Sequence, residues 1–252
     1  MVCVPMKVAV VSPYYKEAPE LLDRCNRSVQ AQTHPCTHFM VADGHPVSLF
    51  DGRERTEHIV LPHPNGDYGN TPRAIVSLLA AAYGYDAVAF LDADNWFEPD
   101  HIEGLIACQQ QTGAAAVTAR RRFFGIYDEP LPITEAMEEE NRHVDTSCWL
   151  VFRPAFSLFN AWLMPKELAS VGDRIFFQKA LFDGVPIAFS GRRTVWYRST
   201  YAFHYRWAGL PVPDTLKDQD EHYAARAFLL SEEGRRATEA HLGFYPGETF
   251  RW

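Results

Sequence analysis

Ala87-Val-Ala-Phe-Leu-Asp-Ala-Asp94 is an apolar run of five residues that ends in two carboxylates one residue apart. Such a run suits a strand buried on both faces of a mainly parallel sheet. In an extended chain, residues two apart face the same side, so Asp92 and Asp94 converge just past the strand end. Upstream, Lys7-Val-Ala-Val-Val-Ser12, closed by Pro13, reads as another buried strand. Pro19 to Gln32 reads as a helix, with Leu21, Leu22, Cys25 and Val29 at three-to-four spacing. His38 to Ala42 and His58 to Leu61 are further strands, and a helix is expected from Thr71 to Tyr83 after the Gly69-Asn70 turn. This alternation predicts an open α/β sheet, mainly parallel and flanked by helices, with ligands beyond the carboxyl ends of its strands.

Downstream, a helix is expected near Pro99 to Gln111, then strands at Ala115 to Ala119, Phe123 to Tyr127, Cys148 to Phe152 and Thr194 to Tyr197. Asp173 to Phe182 and the region from Asp218 to Leu242 read as helical. Asp128 to Asp145, which holds Glu129-Pro-Leu-Pro132 and Glu138-Glu-Glu140, reads as a lid or a solvated loop.

The 252 residues include 24 basic and 32 acidic side chains, a net charge of −8, which disfavours a nucleic-acid binder that must neutralise phosphates. An anionic ligand would have to arrive with a cation. The five cysteines (Cys3, Cys25, Cys36, Cys108 and Cys148) are scattered and form no Cys-x-x-Cys pair, which predicts a reducing, cytoplasmic compartment without a zinc site. Met1 to Lys7 lacks the apolar region of a signal peptide. Ala74 to Tyr85, bounded by Arg73 and Asp86, is too short to span a membrane.

Two carboxylates without His or Cys suit hard Mg2+ or Mn2+ rather than zinc. Asp-x-Asp after a strand also occurs in haloacid-dehalogenase-like phosphatases, but that motif continues with Thr or Val near the first strand, whereas Asn95-Trp96 follow here and earlier strands precede. The fuller likeness lies elsewhere. Ser12-Pro13-Tyr14-Tyr15, Leu21-x-x-x-Cys25-x-x-Ser28-Val29-x-x-Gln32-Thr33, Val41-Ala42-Asp43-Gly44 and Gly69-x-x-x-Arg73 ahead of Asp92-Ala93-Asp94 resemble the opening of the GT-A fold glycosyltransferases of family 2. The likeness is good over residues 7 to 110 and looser beyond.

The resemblance implies a GT-A domain over residues 1–210, with a nucleotide-binding half (1–110) and an acceptor half (111–210), followed by a helical extension (211–252). It implies a metal-dependent enzyme that moves one sugar from a UDP- or GDP-sugar to an acceptor hydroxyl, inverting the anomeric centre by direct displacement. Pro13, Tyr14, Asp43, Arg73 and Asp92 would hold the donor. Asp94, with Asp92, would bind the Mn2+ or Mg2+, and His204 would be a third ligand. Asp173 would be the base; the relatives' Glu-Asp pair is Gly172-Asp173 here. Trp149, just after the proposed lid, is the expected acceptor platform. The synthase motif Gln-x-x-Arg-Trp is incomplete in Phe203-His-Tyr-Arg-Trp207, which favours single-sugar transfer. The alternatives are a metal-dependent phosphatase of haloacid-dehalogenase type and a non-catalytic nucleotide-sugar binder.

Overall fold

The computed structural model of the protein describes residues 6–247 and residue 250. Cys3 and most of the amino-terminal stretch read for a signal peptide lie outside the described residues. The strands are β1 (Val8–Tyr14), β2 (Cys36–Asp43), β3 (Thr56–Leu61), β4 (Ala87–Phe90), β5 (Trp96–Phe97), β6 (Ala116–Phe124), β7 (Pro130–Leu131), β8 (Trp149–Phe152) and β9 (Ile187–Arg198). The helices are α1 (Pro19–Gln30), α2 (Asn70–Ala82), α3 (His101–Thr112), α4 (Ala136–Glu139), α5 (Gly172–Phe182), α6 (Ala202–Trp207), α7 (Asp220–Leu229) and α8 (Glu232–Leu242).

One mixed sheet runs in the order β3-β2-β1-β4-β8-β6-β9-β5, with β7 paired to β6. The strands β3, β2, β1 and β4 are parallel, and β8 lies antiparallel between β4 and β6. All seven residues of β1 are buried, as its apolar run requires. Because β1 lies between β2 and β4, strand order reverses there and leaves a crevice at the carboxyl ends of β1 and β4. Gly69, at φ 77°, brings the start of α2 under that crevice; a Cβ there would lie 2.7 Å from Pro13 Cβ. Only glycine tolerates both the left-handed backbone and the close approach.

The two strands expected between Ala115 and Tyr127 are one strand, β6, with register irregularities between Thr118 and Arg121. Thr194 to Tyr197 is the end of the longer β9. Trp149 corrects an expectation. It lies on the central strand β8, is 0% exposed, and packs its ring 5.2 Å from Phe176 and 6.1 Å from Phe177. A residue enclosed on that strand cannot offer a face to a sugar.

The Asp128 to Asp145 stretch is neither a detached lid nor a solvated loop. Its β7 pairs with β6, and Glu138, His143 and Asp145 are buried. Arg121, 3% exposed, binds the stretch to the sheet. Its Nη2 lies 2.6 Å from Glu135 Oε2, its Nε 3.0 Å from Glu138 Oε1 and its Nη1 3.3 Å from Asp145 Oδ2. Burial alone would raise the Glu135 pKa, but the Arg121 charge and the bonds from His143 and His204 hold it below the usual carboxylate range.

Arg121→Leu would strand these carboxylates, and urea denaturation at pH 7 should show a loss of about 3–5 kcal/mol. In the wild type, the depressed Glu135 pKa contributes stability above the unfolded value, and this is lost as pH falls through the carboxylate range. In the variant, Glu135 loses the guanidinium that does most to lower its pKa, so the folded form takes up a proton more readily and the deficit should shrink between pH 7 and pH 5. A deficit constant across that range would count against the clamp.

Candidate active site

A cavity of about 590 Å³ opens at the carboxyl ends of β1 and β4. Of the residues proposed from the sequence, Pro13, Tyr14, Asp43, Arg73, Asp92, Asp94, Asp173 and His204 reach its wall; Trp149 does not. After β4 the chain turns, with the Asn95 amide donating to the Asp92 carbonyl at 2.9 Å. Ser147 Oγ receives the Asp92 amide and Asn95 Nδ2, each at 3.1 Å, which fixes the turn against the short helical turn Thr146–Cys148 that leads into β8.

The two carboxylates of the turn have different partners. Arg73 Nη2 donates to Asp92 Oδ1 at 2.8 Å, while its Nη1 donates to Asn70 Oδ1 at 3.1 Å and its guanidinium lies over Trp162. Arg73 is therefore a buried brace for Asp92, not a helix-surface arginine. Burial still pushes the Asp92 pKa up; Arg73 opposes this and Asp173 adds to it. Asp94, 28% exposed, has Arg198 Nη1 3.9 Å away as its cationic neighbour. Burial first, and then the charge of Asp92, push its pKa up to about 7 despite Arg198. A desolvated carboxylate repelled by its neighbour suits a divalent cation, so Asp94 with Asp92 fits the group that the resemblance implies.

His204 does not fit as the third ligand. Its Nε2 faces Glu135 Oε1 at 3.2 Å and its Nδ1 faces Ser199 Oγ at 2.7 Å. The ionised Glu135 only accepts, so Nε2 carries the proton and the one lone pair, on Nδ1, takes the Ser199 hydroxyl. Burial lowers the His204 pKa and favours this neutral form. Among the described residues, no group of three or more His, Cys, Asp or Glu side chains is arranged to hold a metal ion.

On the nucleotide side, two expected contacts are already engaged within the protein. Tyr14 is buried, with its hydroxyl 2.6 Å from His58 Nε2 and 3.1 Å from the Val47 amide that donates to it. Tyr15, which follows it, is 40% exposed with its ring edge-on to His45. The Asp43 carboxylate accepts from the Asn65 amide, from Asn65 Nδ2 at 2.7 Å and from the Gly66 amide. It pins the loop that leads into α2.

Asp173 stands at the start of α5, with Oδ1 accepting the Arg174 amide and Oδ2 lying 2.7 Å from His143 Nε2. Burial would raise its pKa, but His143, with Arg174 and its amide, brings it below the usual carboxylate range. Gly172, where relatives are expected to carry Glu, leaves room for Asn70: a Cβ there would meet the Asn70 side chain at 2.9 Å. A second acid nevertheless reaches this corner from a distant segment, as Glu135. The sequence reading missed His143 and Glu135 because they lie in a stretch whose composition reads as surface. It also missed Lys217, Gln219 and His222, which line the cavity from the carboxyl-terminal region. That region is tied down by the Tyr68 hydroxyl donating to Glu221 and by Ser170 Oγ donating to the Glu221 carbonyl at 3.1 Å.

The comparisons with known proteins agree with this arrangement. A curated relative, "Succinoglycan biosynthesis protein ExoW" of Rhizobium meliloti (strain 1021), is 37% identical over 113 residues, 42% of this chain. The match spans 34%, about a third, of that relative's length. Among solved structures, S. aureus TarS 1-349 in complex with UDP superposes with a TM-score of 0.59 at 14% identity, covering 97% of this chain and 74% of that one. The same TarS fragment in complex with UDP-GlcNAc gives a TM-score of 0.61 at 15% identity, covering 97% and 75%. At such identities these neighbours establish the GT-A glycosyltransferase fold. The model of the family described as "Glycosyl transferase family 2" matches residues 9–183, which take in the turn at Asp92–Asp94 and the start of α5, and by that match the chain belongs to glycosyl transferase family 2.

Proposed function

We propose that this glycosyltransferase moves one sugar, of hexosyl type, from a nucleoside-diphosphate donor to an acceptor hydroxyl with inversion. The observation that carries the reading is that Asp173, at the head of α5 and 2.7 Å from His143 Nε2, shares the cavity wall with the acidic turn Asp92–Asp94. The UDP and UDP-GlcNAc in the TarS complexes favour a UDP-sugar over a GDP-sugar.

Asp94, with Asp92, would hold Mn2+ or Mg2+ against the donor diphosphate. A bound divalent cation supplies Lewis-acid stabilisation of the charge that gathers on the leaving oxygens. Arg73 orients Asp92 and favours its ionised form against burial, and Arg198 and Lys217 add positive charge to a cavity that must receive an anion. Asp173 accepts the acceptor's hydroxyl proton as the oxygen attacks the anomeric carbon, and the bonding pair to the diphosphate departs with it. The acceptor oxygen enters from the side opposite the leaving diphosphate, which inverts the centre. Tyr15 offers an exposed ring to a nucleobase, while Tyr14 supports the wall behind it.

Four of the cysteines (Cys25, Cys36, Cys108 and Cys148) are free, which suits a reducing, cytoplasmic compartment. Among the described residues, no helix is long and apolar enough to cross a membrane.

Asp173→Asn should leave UDP affinity within about twofold and lower transfer by roughly 10²-fold or more. Calorimetric titration and a coupled UDP-release assay would show both, and transfer at the wild-type rate would remove Asp173 from the role of base. Asp94→Ala should abolish the gain in UDP affinity and turnover produced by Mn2+; equal Mn2+ dependence in variant and wild type would refute the metal assignment. Donor binding without turnover by the wild type over a broad acceptor panel would make the protein a nucleotide-sugar binder.

A further inference from the structure

We infer that His143 is a positioning residue for Asp173: its imidazolium, held between Glu135 and Asp173, keeps that base ionised and fixed in the cavity wall. The inference rests on the reading of Asp173 as base.

The ring is buried, and both of its nitrogens face carboxylate oxygens. Nε2 lies 2.7 Å from Asp173 Oδ2 and Nδ1 lies 3.3 Å from Glu135 Oε2. Ionised carboxylates only accept hydrogen bonds, so the geometry requires a proton on each nitrogen, and a neutral imidazole has one. Neither partner is free to turn away. Glu135 is also held by Arg121 Nη2 at 2.6 Å and by His204 Nε2 at 3.2 Å, and Asp173 Oδ1 is held by the Arg174 amide at 2.7 Å.

The charges around the ring are Asp173 and Arg174 from α5, Glu135 from the segment before α4, and His222 from α7. Burial opposes the charged ring, but Asp173 and Glu135 outweigh it together with Arg174, and the His143 pKa is raised. The benefit to Asp173 follows from its other surroundings. It is desolvated and it shares the cavity with Asp92, whose own pKa is pushed up in part by Asp173. Without the imidazolium, both influences would drive Asp173 toward the protonated form, which cannot take a proton from the acceptor.

The test is the pH profile of sugar transfer by His143→Gln, whose amide can still donate one hydrogen bond but carries no charge. The acid limb of kcat should move up by about one pH unit or more, the deficit relative to wild type growing as pH falls, with UDP affinity within about twofold. An unmoved acid limb, whether the rate is reduced or not, overturns the inference, because a merely structural residue lowers the rate without shifting the limb. If His143→Gln does not fold, ring-15N NMR of the wild type decides. One histidine doubly protonated at pH 8, losing that state in Asp173→Asn, supports the inference, and absence of such a ring overturns it. Wild-type transfer by Asp173→Asn overturns the base reading and this inference together, whereas an inactive Asp173→Asn with an unmoved His143→Gln limb overturns the inference alone.

Discussion

A guanidinium closed off from water is the constraint on which this active site rests. Arg121 cannot be left unpaired, because a buried charge without partners costs several kcal/mol. It is answered from three directions by Glu135, Glu138 and Asp145, all contributed by the segment that follows β6 and β7. That requirement folds the segment onto the sheet. Through Glu135 and His143 the same requirement reaches Asp173 at the head of α5. The corner at Asp173 is thus one end of a chain of alternating charges whose other end is anchored in a strand.

The carboxylates of the cavity divide their tasks by partner. Asp92 has a guanidinium at 2.8 Å, Asp173 has an imidazole nitrogen at 2.7 Å, and Asp94 has only the more distant Arg198 at 3.9 Å. The first two are neutralised within the protein. The third is left under-compensated in a desolvated place, so its charge is the one best suited to an ion that arrives with the substrate. In a chain with a net charge of −8, such local pairing limits the repulsion among the acids that line the pocket.

Much of the first half was legible in the sequence because its signals are local. Apolar runs at Val8–Val11 and Ala87–Leu91 specify buried strands on their own, and the acidic turn could be placed simply by counting from the strand end. The second half was harder to read because its decisive interactions join residues far apart in the chain. Nothing near Glu138-Glu-Glu140 signals that Glu138 is buried; the cause is Arg121, 17 positions earlier on a strand that the sequence reading broke in two. Trp149 failed for a related reason. An aromatic near a presumed lid looks like a platform until a central antiparallel strand encloses it. His204 was placed correctly in space, but its lone pair is taken by a serine hydroxyl, a detail of side-chain partnership that spacing cannot convey.

The match to the family ends at residue 183, yet the roof of the cavity is built by chain beyond that point, including Lys217, Gln219 and His222. His222 stands on α7, whose Ala225 and Leu229 are buried in the main core, whereas Lys217 and Gln219 stand on the chain just before that helix. A change in this carboxyl-terminal portion would alter one wall of the cavity while leaving in place the elements that carry the acidic turn and Asp173.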